Sequence, residues 1–204
     1  MDTRRINRYS AGIMSESPWF LEFKKLVQLY HDGLNAQEVR RRCIEENIFG
    51  MQTERRIVST FQYLNRRFQR LDDTLVDLFC NSDLATQKLI NLIAVVSGDR
   101  LFFEFLNEVY REKCILGFDA IDVSDVNTFF RNKSVESEEL AAWKESTFQH
   151  VRSSFIDFML DANLLRKEEK KRYLLTPPIM DIALERYLQY NGKESLLKAI
   201  TGVR

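Results

Sequence analysis

The sequence predicts an all-α protein, mostly a helical bundle, with a helix-turn-helix-like N-terminal part and a winged-helix-like C-terminal unit that contains one short β-hairpin. Two observations favour this class. Glycine and proline number only 7 and 3 among 204 residues, whereas a β-sandwich or barrel needs a turn after every short strand. Apolar residues recur at helical spacing along most of the chain, and 45% hydrophobic residues with balanced charge can close a core.

Three helices are predicted in the first third of the chain. Pro18 opens the first at its first position, where a missing N–H costs no hydrogen bond, and Gly33 ends it. Asn35 caps the second, and Glu38 three residues later completes a capping box. The third, over residues 53–71, is the longest amphipathic stretch of this part. Two short helices and a long third one are typical of a helix-turn-helix array, although plain bundles share that outline.

The middle of the chain predicts three further helices, over residues 72–80, 84–96 and 99–116. Asp83 and Asp99 stand at N-cap positions, and Gly117 stands at a helix end. The run Leu101–Leu106 is apolar almost all round, so we expect it to be the most buried helix of the fold.

The last third predicts three helices followed by a hairpin, which is the order of a winged helix. Two short apolar runs flank the charged tip Lys167–Arg172, as in a β-hairpin, and a closing helix is predicted over 179–190. The helices before the tip are predicted over 125–132, 138–144 and 146–162. We therefore divide the chain into a helical bundle with basic N-terminal helices (1–120) and a winged-helix-like unit with the closing helix (121–204), sharing a core.

The charge is neutral overall but unevenly distributed. Residues 1–70 hold 13 Lys and Arg against 8 Asp and Glu, residues 71–139 hold 6 against 14, and residues 140–204 hold 11 against 8. Two basic ends therefore flank an acidic centre, which the whole-chain charge does not reveal.

The third predicted helix carries the main candidate site. Winding it at 3.6 residues per turn places Ile57, Phe61 and Leu64 on one side. Five arginines and a tyrosine fall on the other side, and we predict that they contact DNA phosphates: Arg55, Arg56, Tyr63, Arg66, Arg67 and Arg70. Guanidinium groups without intervening carboxylates match phosphate oxygens well. An acidic protein partner, or a face that is merely solvated, remains an alternative.

Three further groups complete the predicted DNA-binding set. On the second helix, Arg41 and Arg42 contribute, although Arg41 can pair with Glu45 and Arg42 with Glu38 at i,i+4 spacing. On the helix before the hairpin, short polar groups suit base edges and phosphates: Thr147, Gln149, His150 and Ser153. At the hairpin tip, basic residues would touch phosphates as a wing does: Lys170, Lys171 and Arg172.

Nothing in the sequence indicates an enzyme, a cofactor or a metal. The two histidines are far apart, the three cysteines lack metal-ligand spacing, and no nucleotide-binding or hydrolase motif occurs. The longest unbroken apolar run, Leu92–Val96, is too short to cross a membrane. We expect a cytoplasmic protein with reduced thiols and no small-molecule substrate.

Several segments of the chain stand out by their order and spacing. They are Tyr9–Gly12 before the first helix, Arg111-Glu112-Lys113 with Gly117, Asp125–Phe130, and Ala142-Trp143 before the 147–165 segment. Together these segments resemble the BrxA family of BREX bacteriophage-resistance systems, and the similarity of order and spacing runs over nearly the whole chain.

The resemblance implies a bacterial cytoplasmic protein that acts beside a defence methyltransferase, an ATPase and other large components. It also implies an all-helical fold similar in part to the antitermination factor NusB, with double-stranded DNA binding and no known catalysis. Our interpretation is a non-enzymatic DNA-binding accessory protein, with double-stranded DNA and other defence components as its partners. A protein–protein assembly adaptor and a NusB-type RNA-binding factor are the alternatives.

Overall fold

The computed structural model describes residues 8–169 and 172–204 and confirms a mostly helical fold. A small antiparallel sheet accompanies the helices. The described residues form two compact units: one is Pro18–Val95, and the other combines the residues before Pro18 with Val96–Arg204. Within the described residues, no helix combines the length and apolar character needed to span a bilayer.

The unit Pro18–Val95 consists of five helices. They are α1 (Phe20–His31), α2 (Ala36–Ile44), α3 (Glu54–Phe68), α4 (Asp73–Asn81) and α5 (Leu84–Val96). Their apolar faces meet in a core that includes Phe23, Leu26, Val39, Leu64 and Phe79, each at most 1% exposed. The Phe23 and Phe79 rings meet edge to face, with centroids 5.6 Å apart.

The predicted capping box at the start of α2 is confirmed. The Asn35 side chain accepts hydrogen bonds from the backbone N–H groups of Gln37 and Glu38, and the Glu38 carboxylate accepts from the Asn35 N–H. The predicted start of α1 is wrong by two residues. Helix α1 begins at Phe20, after Trp19 in the left-handed region at φ 40°, so Pro18 lies outside the helix.

The second unit contains a short 3-10 helix (Gly12–Ser15) before Pro18 and continues after Val95 with one long helical stretch. It ends with two short helices. The stretch is α6 (Arg100–Phe105), a π-helical segment (Leu106–Arg111) and α7 (Glu112–Ile115). It is followed by β1 (Ala120–Asp122), α8 (Val123–Glu136), α9 (Glu138–Ala141), α10 (Glu145–Asp161), β2 (Leu165–Glu169), β3 (Arg172–Leu175), α11 (Ile182–Tyr190) and α12 (Glu194–Thr201).

The aromatic helix α6 belongs to this C-terminal core. Phe102 stacks on Phe155 with ring centroids 4.3 Å apart, and Phe105 meets Phe129 edge to face at 5.2 Å. All four rings are buried. The prediction that this helix is the most buried of the fold is wrong, because α5 buries ten of its 13 residues whereas α6 buries three of six. The compact units divide between Val95 and Val96, and these rings join α6 to α8 and α10 within one unit. The division into domains at residue 120 stays a prediction.

The hairpin predicted after the third helix of this unit is present as β2 and β3. The two strands pair antiparallel, and β1 pairs with the other edge of β3, so the strand order is β1-β3-β2. Neither β1 nor α12 was predicted. Strand β1 has only three residues, which are too few to show an alternating apolar and polar pattern. Helix α12 follows Gly192, which also fits the end of the last helix of a fold.

Candidate nucleic-acid interface

Helix α3 presents its apolar side to the core as predicted. Ile57, Phe61 and Leu64 are buried, and the Phe68 ring stacks on Tyr30 with centroids 4.0 Å apart. Thr53 caps the helix by accepting a hydrogen bond from the Arg56 N–H. The opposite side therefore faces away from the core over the first three turns.

Three of the predicted arginines lie on that outward side. Arg55, Arg56 and Arg66 are exposed, and none has a carboxylate within ion-pair distance among the residues that the structure describes. The Arg66 guanidinium carbon lies 4.7 Å from the centre of the half-buried Tyr63 ring. That ring in turn lies 6.0 Å from Trp19. The guanidinium forks of these three residues are open to an anionic ligand.

Arg67 is a correction to the predicted site, because its side chain is 0% exposed. The guanidinium donates hydrogen bonds of 2.7 Å to the Pro18 carbonyl and 2.9 Å to Asn91 Oδ1. It also lies 5.5 Å from the centre of the Phe23 ring. A buried charge requires such partners, and a side chain held in this way cannot reach a phosphate.

Arg70 is a second correction to the predicted site, because it caps a helix and is not an open DNA contact. It lies just after α3, is half-buried, and donates 3.0 Å and 3.4 Å hydrogen bonds to the carbonyls of Ala94 and Val95. The last carbonyls of a helix lack intrahelical donors and favour a cation. Arg70 therefore caps the end of α5.

We predict that replacing Arg67 with methionine lowers the free energy of unfolding by about 2 kcal/mol, because Asn91 Oδ1 then loses a charged donor inside the core. Urea unfolding followed by far-UV circular dichroism measures the change. Arg66→Met is the matched control, since this neighbouring side chain is exposed and its loss should cost less than about 0.5 kcal/mol. Equal stability of the two variants would contradict the buried role.

The two candidates on α2 differ in how they are held. Arg41 and Arg42 are both exposed, but Arg41 pairs with Glu46 at 2.6 Å rather than with Glu45. Glu38 serves the capping box instead of pairing with Arg42. Arg42 therefore keeps its guanidinium available, whereas Arg41 already shares an ion pair of low expected strength at an exposed position.

Helix α10 turns the predicted polar residues outward. Gln149, His150 and Ser153 are exposed and Thr147 is half-buried. The predicted inner stripe is confirmed as buried: Phe148, Val151, Phe155, Phe158 and Met159. The outward surface of the first turns therefore carries these polar side chains together with the acidic Glu145.

Arg172 at the hairpin is already paired, which corrects its predicted role as an open phosphate contact. Its Nη2 atom lies 3.1 Å from Asp119 Oδ2, and its Nε atom lies 3.1 Å from Glu168 Oε2. A phosphate would have to displace two carboxylates. The other two predicted tip residues, Lys170 and Lys171, lie outside the described residues.

One basic residue beside this surface was missed by the sequence reasoning. Arg152 lies 5.3 Å from the centre of Phe130 and 5.7 Å from that of Phe148, and it pairs with Glu145 at 2.9 Å. With Lys167 and Ser153 it lines a cavity of about 300 Å³. An arginine four residues after an aromatic is the available signal.

The described residues hold no group of three or more His, Cys, Asp or Glu side chains arranged to bind a metal ion. The predicted site residues that remain exposed on these surfaces carry guanidinium, hydroxyl, amide and imidazole groups, and carboxylates pair with some of the arginines. Such groups bind anions and base edges through hydrogen bonds and charge.

The arrangement of helices and strands places this protein in the class of mostly helical folds that include a small antiparallel sheet. It is similar to the crystal structure of an uncharacterized protein from Magnetospirillum magneticum, with a TM-score of 0.80 and 15% identity over 96% of this chain and 99% of that chain.

The sequence comparison is more specific. A match to the BrxA family covers residues 7–192. The chain is 32% identical over 194 residues to the BREX protein BrxA of Bacillus cereus (strain H3081.97), covering 95% of this chain and 96% of the relative. The chain belongs to the BrxA family, which confirms the resemblance seen in the sequence.

Proposed function

We propose that this protein is a non-enzymatic, cytoplasmic accessory factor of a BREX phage-defence system that binds duplex DNA mainly through phosphates. The defence role rests on the family and on the name of the Bacillus cereus relative, BREX protein BrxA. The DNA-binding role rests on one observation above all: Arg55, Arg56 and Arg66 are exposed on one helix without carboxylate partners among the described residues.

The spacing of these arginines supports several separate phosphate contacts. Arg55 and Arg66 are eleven residues apart, which corresponds to about 16 Å along an α-helix. Phosphates repeat closely along duplex DNA, so the two ends of α3 can reach different phosphates. Such contacts fix orientation without reading sequence, and sequence preference through α3 is therefore expected to be weak.

The outward surface of α10 supports a second, different kind of contact. Gln149, His150 and Ser153 are uncharged or titratable polar groups of the type that hydrogen-bond to base edges. The hairpin that follows α10 along the chain is consistent with the winged-helix interpretation. Whatever sequence preference the protein has is proposed to come from this surface.

We predict that Arg55→Glu with Arg66→Glu weakens binding to all duplex sequences by a similar factor of at least about tenfold, with unchanged helicity. Mobility-shift titration with two unrelated duplexes measures the effect. The matched control is Arg131→Glu with Arg186→Glu, which changes the net charge equally at two other exposed positions. Unchanged affinity of the α3 variant, or an equal loss of affinity in the control, would contradict a DNA-binding site on α3.

Gln149→Ala is expected to alter the discrimination between a preferred and a random duplex more than it alters overall affinity, because an amide reads bases rather than phosphates. Competition binding with both duplexes provides the ratio, and Ser146→Ala on the same helix is the control. Equal losses of affinity for the two duplexes would contradict base recognition by α10.

A further inference from the structure

A groove of about 620 Å³ lies between α8 and the stretch formed by the π-helical segment and α7. Its apolar lining includes Val109, Leu116, Phe118 and Phe129. Leu116 is 71% exposed and Phe118 is 55% exposed. Large apolar side chains grouped at the surface in a concave site are typical of a binding groove. The π-helical geometry of one wall is also frequent at functional sites.

The rim of this groove is acidic. It carries Glu108, Glu112, Asp125 and Glu136 against the single lining ammonium group of Lys113. Lys113 lies 2.7 Å from Asp125 and 4.8 Å from the centre of the Phe118 ring. Glu112 is exposed and has no ion pair among the residues described.

A buried lysine beside the groove leaves this negative excess in place. Lys133 Nζ lies 3.0 Å from Glu104, 2.7 Å from Glu108 and 3.6 Å from Glu136. Burial works to lower the pKa of Lys133, but hydrogen bonds to Glu108 and Glu104 outweigh burial and raise it. The groove carboxylates Glu108 and Glu136 therefore share one ammonium group with Glu104, which also pairs with Arg100 at 2.7 Å.

The charge and shape of the groove select one class of occupant. Duplex DNA is repelled by carboxylates, and the described residues offer no cluster for a metal ion. A segment with several positive charges and one apolar side complements both the acidic rim and the apolar lining. Amphipathic helices bind hydrophobic grooves in this way. We propose that this groove binds a Lys- and Arg-rich amphipathic helical segment of a partner protein. This proposal does not depend on DNA binding by α3.

The test uses the full chain and two fluorescein-labelled helical peptides, one of alternating Leu and Lys pairs and one with every Lys replaced by Glu. Fluorescence anisotropy measures their dissociation constants. The groove variant is Glu112→Lys with Leu116→Ser, and the matched control is Glu45→Lys with Ile179→Ser. The control makes the same chemical changes at exposed positions outside the groove lining.

The basic peptide is expected to bind the wild-type chain and the control within about twofold, and the groove variant at least about tenfold more weakly. The acidic peptide is expected not to bind. Equal binding of the two peptides, or of the basic peptide to the groove variant, overturns the proposal. Sedimentation showing a dimer of the wild type that the groove variant lacks would assign the groove to a second copy and overturn it as well.

Discussion

A buried guanidinium fixes which side of α3 meets the solvent. Arg67 is enclosed near the end of the helix, where the Pro18 carbonyl and the Asn91 amide hold it, and Arg70 is tied to the last carbonyls of α5. These contacts, with the apolar side of the helix, set its rotation about its own axis. Arg55, Arg56 and Arg66 consequently remain outside, and the proposed DNA contact depends on that orientation.

The mostly helical fold and the positions of most helices could be predicted, because the spacing of apolar residues and the capping residues are local properties of the sequence. The burial of Arg67 could not. On a helical wheel it lies about 20° from Thr60, which is also buried, so it stands at the edge between the two sides. The hydrogen-bond acceptors that offset the free-energy cost of burying this charge are brought to Arg67 only by the tertiary structure. The pairing of Arg172 likewise depends on Asp119, which is 53 residues away along the chain.

The neutral composition conceals two surfaces of opposite character. Helix α3 carries the exposed guanidinium groups of Arg55, Arg56 and Arg66, whereas the lining of the groove beside α7 and α8 carries more carboxylates than ammonium groups. The first suits a polyanion and the second a basic protein segment. The two proposals together give the protein an accessory role, in which the proposed contacts with DNA and with a protein component use different residues.

The most direct test of the central claim is the salt dependence of duplex binding by the wild-type protein, with structured RNA in parallel. Each neutralised phosphate contributes about −0.9 to the slope of log K against log salt concentration. Three exposed arginines on α3 therefore predict a slope of about −3 or steeper. The proposed function also predicts tighter binding to duplex DNA than to RNA. A slope near zero, or a clear preference for RNA, would contradict the account.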